Sequence, residues 1–270
     1  LSAVGSFEHL VEYLIKRAQG NGHFNVMASP SWHGGYIEQL LWYLGHYVPQ
    51  FNEKLIDISA VAALMRRRKD ASELAAICEA ISRTGQALKE ARGLIKPGVG
   101  EYEVRAAIES SFIKQQSPVP AFPSIVASGI NAVRLHYREA AAVMQAGDLV
   151  VLDVGATAGH YAADISRTYP VSGVFTKRQR ELYQVVLEAQ EYIASVAKPD
   201  MYLINRQEPA LSLNHLVKEY FERYKLGGLM PHSVGHYLGL DTHDVGDRTA
   251  PLEEGDVITI EPGIYIPAER

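Results

Sequence analysis

The chain has one cysteine, Cys78, in 270 residues. No disulfide can form within it, and a reducing, cytoplasmic setting is the expectation. No apolar stretch approaches the length of a bilayer-spanning helix and no N-terminal signal pattern is visible, so no membrane role is expected. Basic charge is in deficit, with 26 Lys and Arg against 31 Asp and Glu, a net charge of −5. That balance offers no electrostatic footprint for nucleic acid or an anionic membrane. The one basic run, Arg66 to Lys69, reads as the solvated boundary of a helix. The first residue is Leu1 rather than Met, so a preceding segment is expected, and an organelle address removed with it would leave no trace here.

Apolar residues are plentiful: 47% of the chain is hydrophobic and 21% charged, which suffices for a sizeable core. Residues 1–65 alternate helical patterns at Phe7 to Ala18 and Tyr36 to Tyr47 with a short strand pattern at Phe24 to Ala28. Trp32, His33, Trp42, Tyr43 and His46 form an aromatic-rich patch there, read as core or interface packing. From Asp70 the signals sharpen. Asp70 and Glu73 have the spacing of a capping box, and Leu74, Ile77, Cys78, Ile81, Gly85 and Leu88 follow at helical spacing. Lys96-Pro97-Gly98 ends that unit, and Glu101 to Ile113 reads as a second helix with Val104, Ala107, Ile108 and Phe112 buried. Strand patterns follow at Ser124 to Ala127 and from Leu149. The order then repeats: a capping box at Thr176 and Gln179, helices to Val196 and from Leu213 to Tyr224, and strand patterns around His236 and at Val257 to Ile260. This duplication predicts an α+β layer, with helices covering one face of a largely antiparallel sheet and the other face free for a site.

The segment DLVVLDVGATAGHYAADISRTYP, Asp148 to Pro170, reads as a β-hairpin. With Ala158-Gly159 as its loop, Asp153 faces Asp164. Opposed side chains on paired strands stand roughly 5 Å apart at Cβ, and like charges there are destabilising. Two bare charges at about 4 Å repel by roughly 4 kcal/mol at an effective dielectric near 20, a large part of a typical net stability of about 5–15 kcal/mol. A positive group is therefore expected between them, and two divalent ions would serve. The plain alternative is that one Asp ends a strand in solvent and the other caps a turn.

In PHSVGHYLGLDTHD, Pro231 to Asp244, three histidines fall within twelve residues. His232 and His236 have the i, i+4 spacing of a zinc-protease helix, but Ser233 stands where that motif needs Glu, and two glycines weaken a helix. In extended backbone the two share a face, while His243 needs a bend to join them. Glu261 follows an apolar run and precedes Pro262-Gly263, placing its carboxylate where a strand turns. Asp153, Asp164, His236 and Glu261 together form an oxygen-rich donor set with one imidazole, suited to Mn, Zn, Co or Fe rather than to a structural zinc.

These segments, with LHY at Leu135 to Tyr137, LDVG and ADISRTYP around the two Asp, and TIEPGIYI at Thr259 to Ile266, resemble the creatinase/aminopeptidase family of pita-bread fold, nearest its Xaa-Pro aminopeptidase and prolidase branch. The likeness runs from about Asp70 to the C-terminus. It implies a catalytic domain over residues 66–270, with residues 1–65 as the end of an incomplete N-terminal domain. It implies Asp153, Asp164, His236 and Glu261 as ligands of two divalent ions, manganese first and zinc or cobalt as alternatives. His136, His232 and His243 would be the histidines that orient substrate and stabilise the transition state.

The implied reaction is metal-assisted hydrolysis of peptides with proline in second position, with Glu261 taking a proton, His243 donating to the oxyanion, and His136 and His232 holding substrate. The alternatives are an Xaa-Pro dipeptidase, which activity on Xaa-Pro-Xaa against Xaa-Pro peptides with manganese would distinguish, and a pita-bread binding module with an impaired site, which metal analysis would distinguish. The family carries a second ligating Glu on a later strand, and the chain ends at Arg270 before it. Glu269 follows Pro267 and is not assigned that role. The missing strand would leave an exposed edge prone to association, so a longer natural chain is expected, or an active form, such as a homo-oligomer, that takes its last strand from elsewhere.

Overall fold

In a computed structural model, residues 7–20, 23–26 and 36–267 are described. Trp32, His33, Ala28 and Glu269 lie outside them. The chain divides into two compact units, Leu1–Met65 and Arg66–Arg270.

In the first unit, α1 (Phe7–Ala18) and α2 (Tyr36–Tyr47) fall where the helical spacing places them. Two short strands, β1 (Phe24–Val26) and β2 (Leu55–Asp57), pair in parallel. Ala18, Leu44, Val48 and Phe51 form this unit's core. Trp42 is not part of it. Its ring stacks on His46 at 5.9 Å, and Trp42, Tyr43 and His46 are all exposed, so the core reading of the aromatic patch is corrected at these three residues. The unit ends within α3 (Ser59–Arg67).

The second unit opens with α4 (Ala71–Arg92), capped as expected. The Asp70 side chain accepts from the Ser72 and Glu73 amides, and Glu73 returns a carboxylate to the Asp70 amide. Its buried face is the expected one only at Ile77 and Leu88. Ile77, Ala80, Thr84, Ala87, Leu88 and Ala91 are buried, whereas Leu74, Cys78 and Ile81 are exposed. Small residues let the helix lie close to the sheet, close enough for Thr84 Oγ1 to accept from the Ala156 amide at 2.9 Å. After α5 (Glu101–Lys114) come β3 (Ile125–Ser128), β4 (Leu149–Val154), β5 (Thr157–Ala158), β6 (Tyr161–Ala162) and β7 (Ile165–Pro170). β3, β4 and β7 form an antiparallel sheet in that order, and β5 pairs with β6.

Ala87, Leu88, Val104, Ile108 and Phe112 from α4 and α5 pack with Val126, Val150, Leu152 and Val154 of the sheet. A second core repeats the plan. Its helices are α6 (Lys177–Val196), opened by the Thr176 capping box, and α7 (Leu213–Glu222). Val185, Ala189, Ile193, Val217 and Phe221 meet Val234 and Tyr237, with Ile258 and Ile260 packed against them. The strand expectations at His236 and Val257 to Ile260 reduce to a single bridge, Tyr237↔Ile258. Backbone bonds at Leu238 N to Val257 O, Thr259 N to His236 O and Glu261 N to Val234 O still run the two segments antiparallel.

Candidate metal centre

Along β4 burial alternates, with Val150, Leu152 and Val154 buried in the helix-covered core. Asp153 therefore stands on the opposite face of the sheet. Its partner is Ser166, not Asp164. The hairpin loop is Gly159-His160, with φ of +53° and +71°, so both central residues occupy the left-handed region that the tightest twisted hairpins require. Ala158, which fits there poorly, is instead a strand residue paired with Tyr161. The partner shifts by two residues, and an even shift keeps the face. Asp164 becomes the diagonal neighbour of Asp153, still near enough for a shared hydrogen bond. Burial first, and then the charge of Asp164, push the Asp153 carboxyl up to about 7, against a hydrogen bond from Ser166.

The histidine segment is drawn against the Glu261 segment because Gly235 has no side chain. A Cβ there would stand 2.0 Å from the Thr259 carbonyl oxygen. Asn214 of α7 accepts from the Val234 amide at 3.0 Å, and Gln190 of α6 donates to the Ile260 carbonyl at 2.8 Å. The two helices thus fix the two segments carrying His236 and Glu261. Thr259 joins them, accepting from the His236 amide at 3.0 Å and donating to Glu261 Oε1 at 3.0 Å.

His236 is the hub. Its Nε2 lies 3.3 Å from Asp164 Oδ2 and 3.2 Å from Glu261 Oε1. Its Nδ1 faces the Tyr237 carbonyl at 2.9 Å, an acceptor, so Nδ1 carries a proton. Nε2 therefore faces two carboxylates either as a second N–H or as a lone pair turned toward a cation. Burial lowers the His236 pKa, but the Asp164 hydrogen bond, the Tyr237 carbonyl and Glu261 outweigh it, and the net direction is up. Burial, with Asp164, also raises Glu261, against His236 and the Thr259 hydroxyl.

The bend expected for His243 is closed by the Asp244 amide bonding to the Tyr237 carbonyl. The His243 and His236 ring centroids are 4.2 Å apart. Burial, followed by His236, lowers the His243 pKa, and His136 is near enough to add to that shift. His136 itself is exposed, with φ +55°. His232 Nδ1 faces the Ser233 carbonyl at 2.8 Å, and its Nε2 is buried with no hydrogen-bond partner among the described residues. The Tyr265 ring meets His232 edge-on at 5.4 Å. Burial, with Asp153 and Glu261, pushes the Tyr265 phenol up to about 12.

The fold thus brings six of the seven residues singled out in the sequence into one cluster, and places His136 at its border. Ser166, Asn214, Thr259 and Tyr265 were missed. Thr259 had a signal, since it lies two residues before Glu261 in extended backbone and shares its face. The basic run is corrected: Lys69 is buried and pairs with Asp244, the neighbour of His243, at 3.1 Å, and Arg66 also binds Asp244. Arg67 forks onto Asp256 at 2.8 and 2.7 Å.

Among the described residues no three His, Cys, Asp or Glu side chains are arranged to hold a metal ion as they stand. The donors instead contact one another. Their chemistry nonetheless fits a divalent cation, because half-buried acidic oxygens converge on an imidazole whose Nε2 faces them.

The site is a cluster of half-buried carboxylates and histidines beside a helix-covered antiparallel sheet. The chain belongs to metallopeptidase family M24, whose model matches residues 75–270. Over 227 residues it is 36% identical to the Xaa-Pro aminopeptidase of Escherichia coli K12, covering 78% of this chain and 52% of that protein. It is also 36% identical over 220 residues to the Xaa-Pro dipeptidase of Pyrococcus furiosus, covering 80% and 60%. The chain thus spans about half the length of the curated relatives it matches. Zinc-substituted E. coli aminopeptidase P in complex with product superposes with a TM-score of 0.79 at 30% identity, over 97% of this chain and 64% of that one. Prolidase from P. furiosus gives 0.79 at 31%, over 97% and 73%. The fold is the pita-bread fold of these enzymes. No helix among the described residues is long and apolar enough to cross a membrane.

Proposed function

We propose that this chain is the catalytic part of a metal-dependent exopeptidase that cleaves the bond between an N-terminal residue and a following proline. The observation that carries the reading is His236 Nε2, set between Asp164 and Glu261 with Asp153 alongside. These four residues would hold two divalent ions, manganese first with zinc or cobalt as alternatives. The ions would supply positive charge that polarises the scissile carbonyl and acidifies water.

The chain's own residues do the rest. Glu261, raised by burial, is suited to accept a proton during attack. His243, lowered by burial, is a neutral N–H donor for the oxygen on which negative charge develops. With Nδ1 committed to the Ser233 carbonyl, His232 turns its Nε2 lone pair toward a substrate N–H. His136 holds the substrate from the border of the site. The names of the relatives support proline in second position.

A dipeptidase is the second reading, supported by the Pyrococcus relatives. The test is turnover of Xaa-Pro-Xaa, Xaa-Pro and Xaa-Ala-Xaa by the manganese-loaded chain. Preference for the first is expected, preference for the second selects the dipeptidase, and equal cleavage of the third removes proline specificity.

A further inference from the structure

Glu101 is fully buried and takes no part in the chemistry above. It is the first residue of α5, a helix anchored in the main core by Val104, Ile108 and Phe112. Its Oε1 accepts from the Ser128 amide at 2.6 Å, the Ser128 hydroxyl at 2.8 Å and Asn131 Nδ2 at 3.3 Å. Its Oε2 accepts from the Tyr137 hydroxyl and the Ala142 amide, both at 2.9 Å. The Tyr137 hydroxyl in turn accepts from the Ala141 amide at 3.0 Å. These donors lie on both sides of His136, whose φ of +55° lies in the left-handed region that is uncommon for residues with a side chain.

We infer that Glu101 is a positioning residue: its carboxylate, fixed on α5, clamps both flanks of the segment bearing His136 and so sets where that imidazole meets substrate. The inference rests on the reading of His136 as a substrate-holding group. A carboxylate suits the task because each oxygen faces a backbone N–H. In a glutamine, either orientation of the amide would turn its NH2 onto the Ser128 or the Ala142 amide.

The test uses E101Q, H136A, their double variant and the milder Y137F in the full 270-residue chain. Hydrogen exchange in residues 129–142 should rise in E101Q while exchange in the core of α5 stays at the wild-type level. Unchanged exchange in 129–142 overturns the inference whatever the activity. With manganese and an Xaa-Pro-Xaa peptide, E101Q should raise KM by about tenfold, as expected for a misplaced binding group, with metal content unchanged. H136A should do the same, and the double variant should be no worse than H136A alone. Effects of E101Q and H136A that multiply, or a fall in kcat alone in proportion to folded protein, would reduce Glu101 to a structural role. Wild-type KM in H136A, beside raised exchange in E101Q, would remove the reading of His136 and the inference with it. A substrate specificity other than Xaa-Pro, with H136A still raising KM, would leave the clamp standing and remove only the proposed specificity. If E101Q does not fold, Y137F carries the same comparisons, with a smaller rise in exchange and KM.

Discussion

Lys69 and Asp244 form an ion pair sealed from solvent, with Nζ 3.1 Å from Oδ2 and side chains 0% and 1% exposed. Arg66 holds the second oxygen of Asp244. The link joins the start of α4 to the loop that returns His243 to His236, so it bears on the site as well as on stability. Removing one member of a buried pair strands the other's charge. Asp244→Asn should therefore lower stability by about 3–5 kcal/mol. Lys69→Met should cost less, about 1–3 kcal/mol, because Asp244 keeps Arg66. Denaturant midpoints at unchanged slope check both.

His243→Ala is expected to lower kcat by about 10²–10³ while metal content stays at the wild-type level. His243 contacts the His236 ring but is not one of the four proposed ligands. Elemental analysis beside turnover decides this. A variant that loses an ion would show His243 to be a ligand.

Ser72 first, and then the Glu73 amide, hold the Asp70 carboxyl below the usual carboxylate range. A carboxyl whose folded pKa is depressed contributes stability above its unfolded pKa and loses it as pH falls through the folded one. Asp70→Ala should accordingly be less stable than wild type at pH 7. The gap should close as pH falls below about 4. Thermal midpoints of both forms across pH 2–7 test the sign, and a gap that widens in acid would contradict it.

Much of this was legible because caps and motifs are local. The boxes at Asp70 and Thr176 started their helices where read, and the six site residues of the two motif-bearing halves cluster. The basic run failed because its deciding partners are remote in sequence. Nothing near Arg66 or Lys69 reveals Asp241 or Asp244, so a buried brace read as a solvated run. The buried stripe of α4 is built on Ala80, Ala87 and Ala91, and a reading weighted by large apolar side chains chose Leu74 and Ile81 instead. The hairpin erred by two residues through its turn, yet kept both Asp on one face because that shift is even.

The most direct test of the account is a calorimetric titration of the metal-free chain with manganese, run on wild type and Asp164→Asn, with Xaa-Pro-Xaa hydrolysis measured on the same samples. The variant loses one anionic donor and relieves the repulsion with Asp153, so it should fold as wild type does. Its manganese affinity should fall by about tenfold or more, and its turnover should fall in parallel. An Asp164→Asn chain that binds manganese as tightly as wild type and turns over as fast would contradict the metal centre proposed at this cluster.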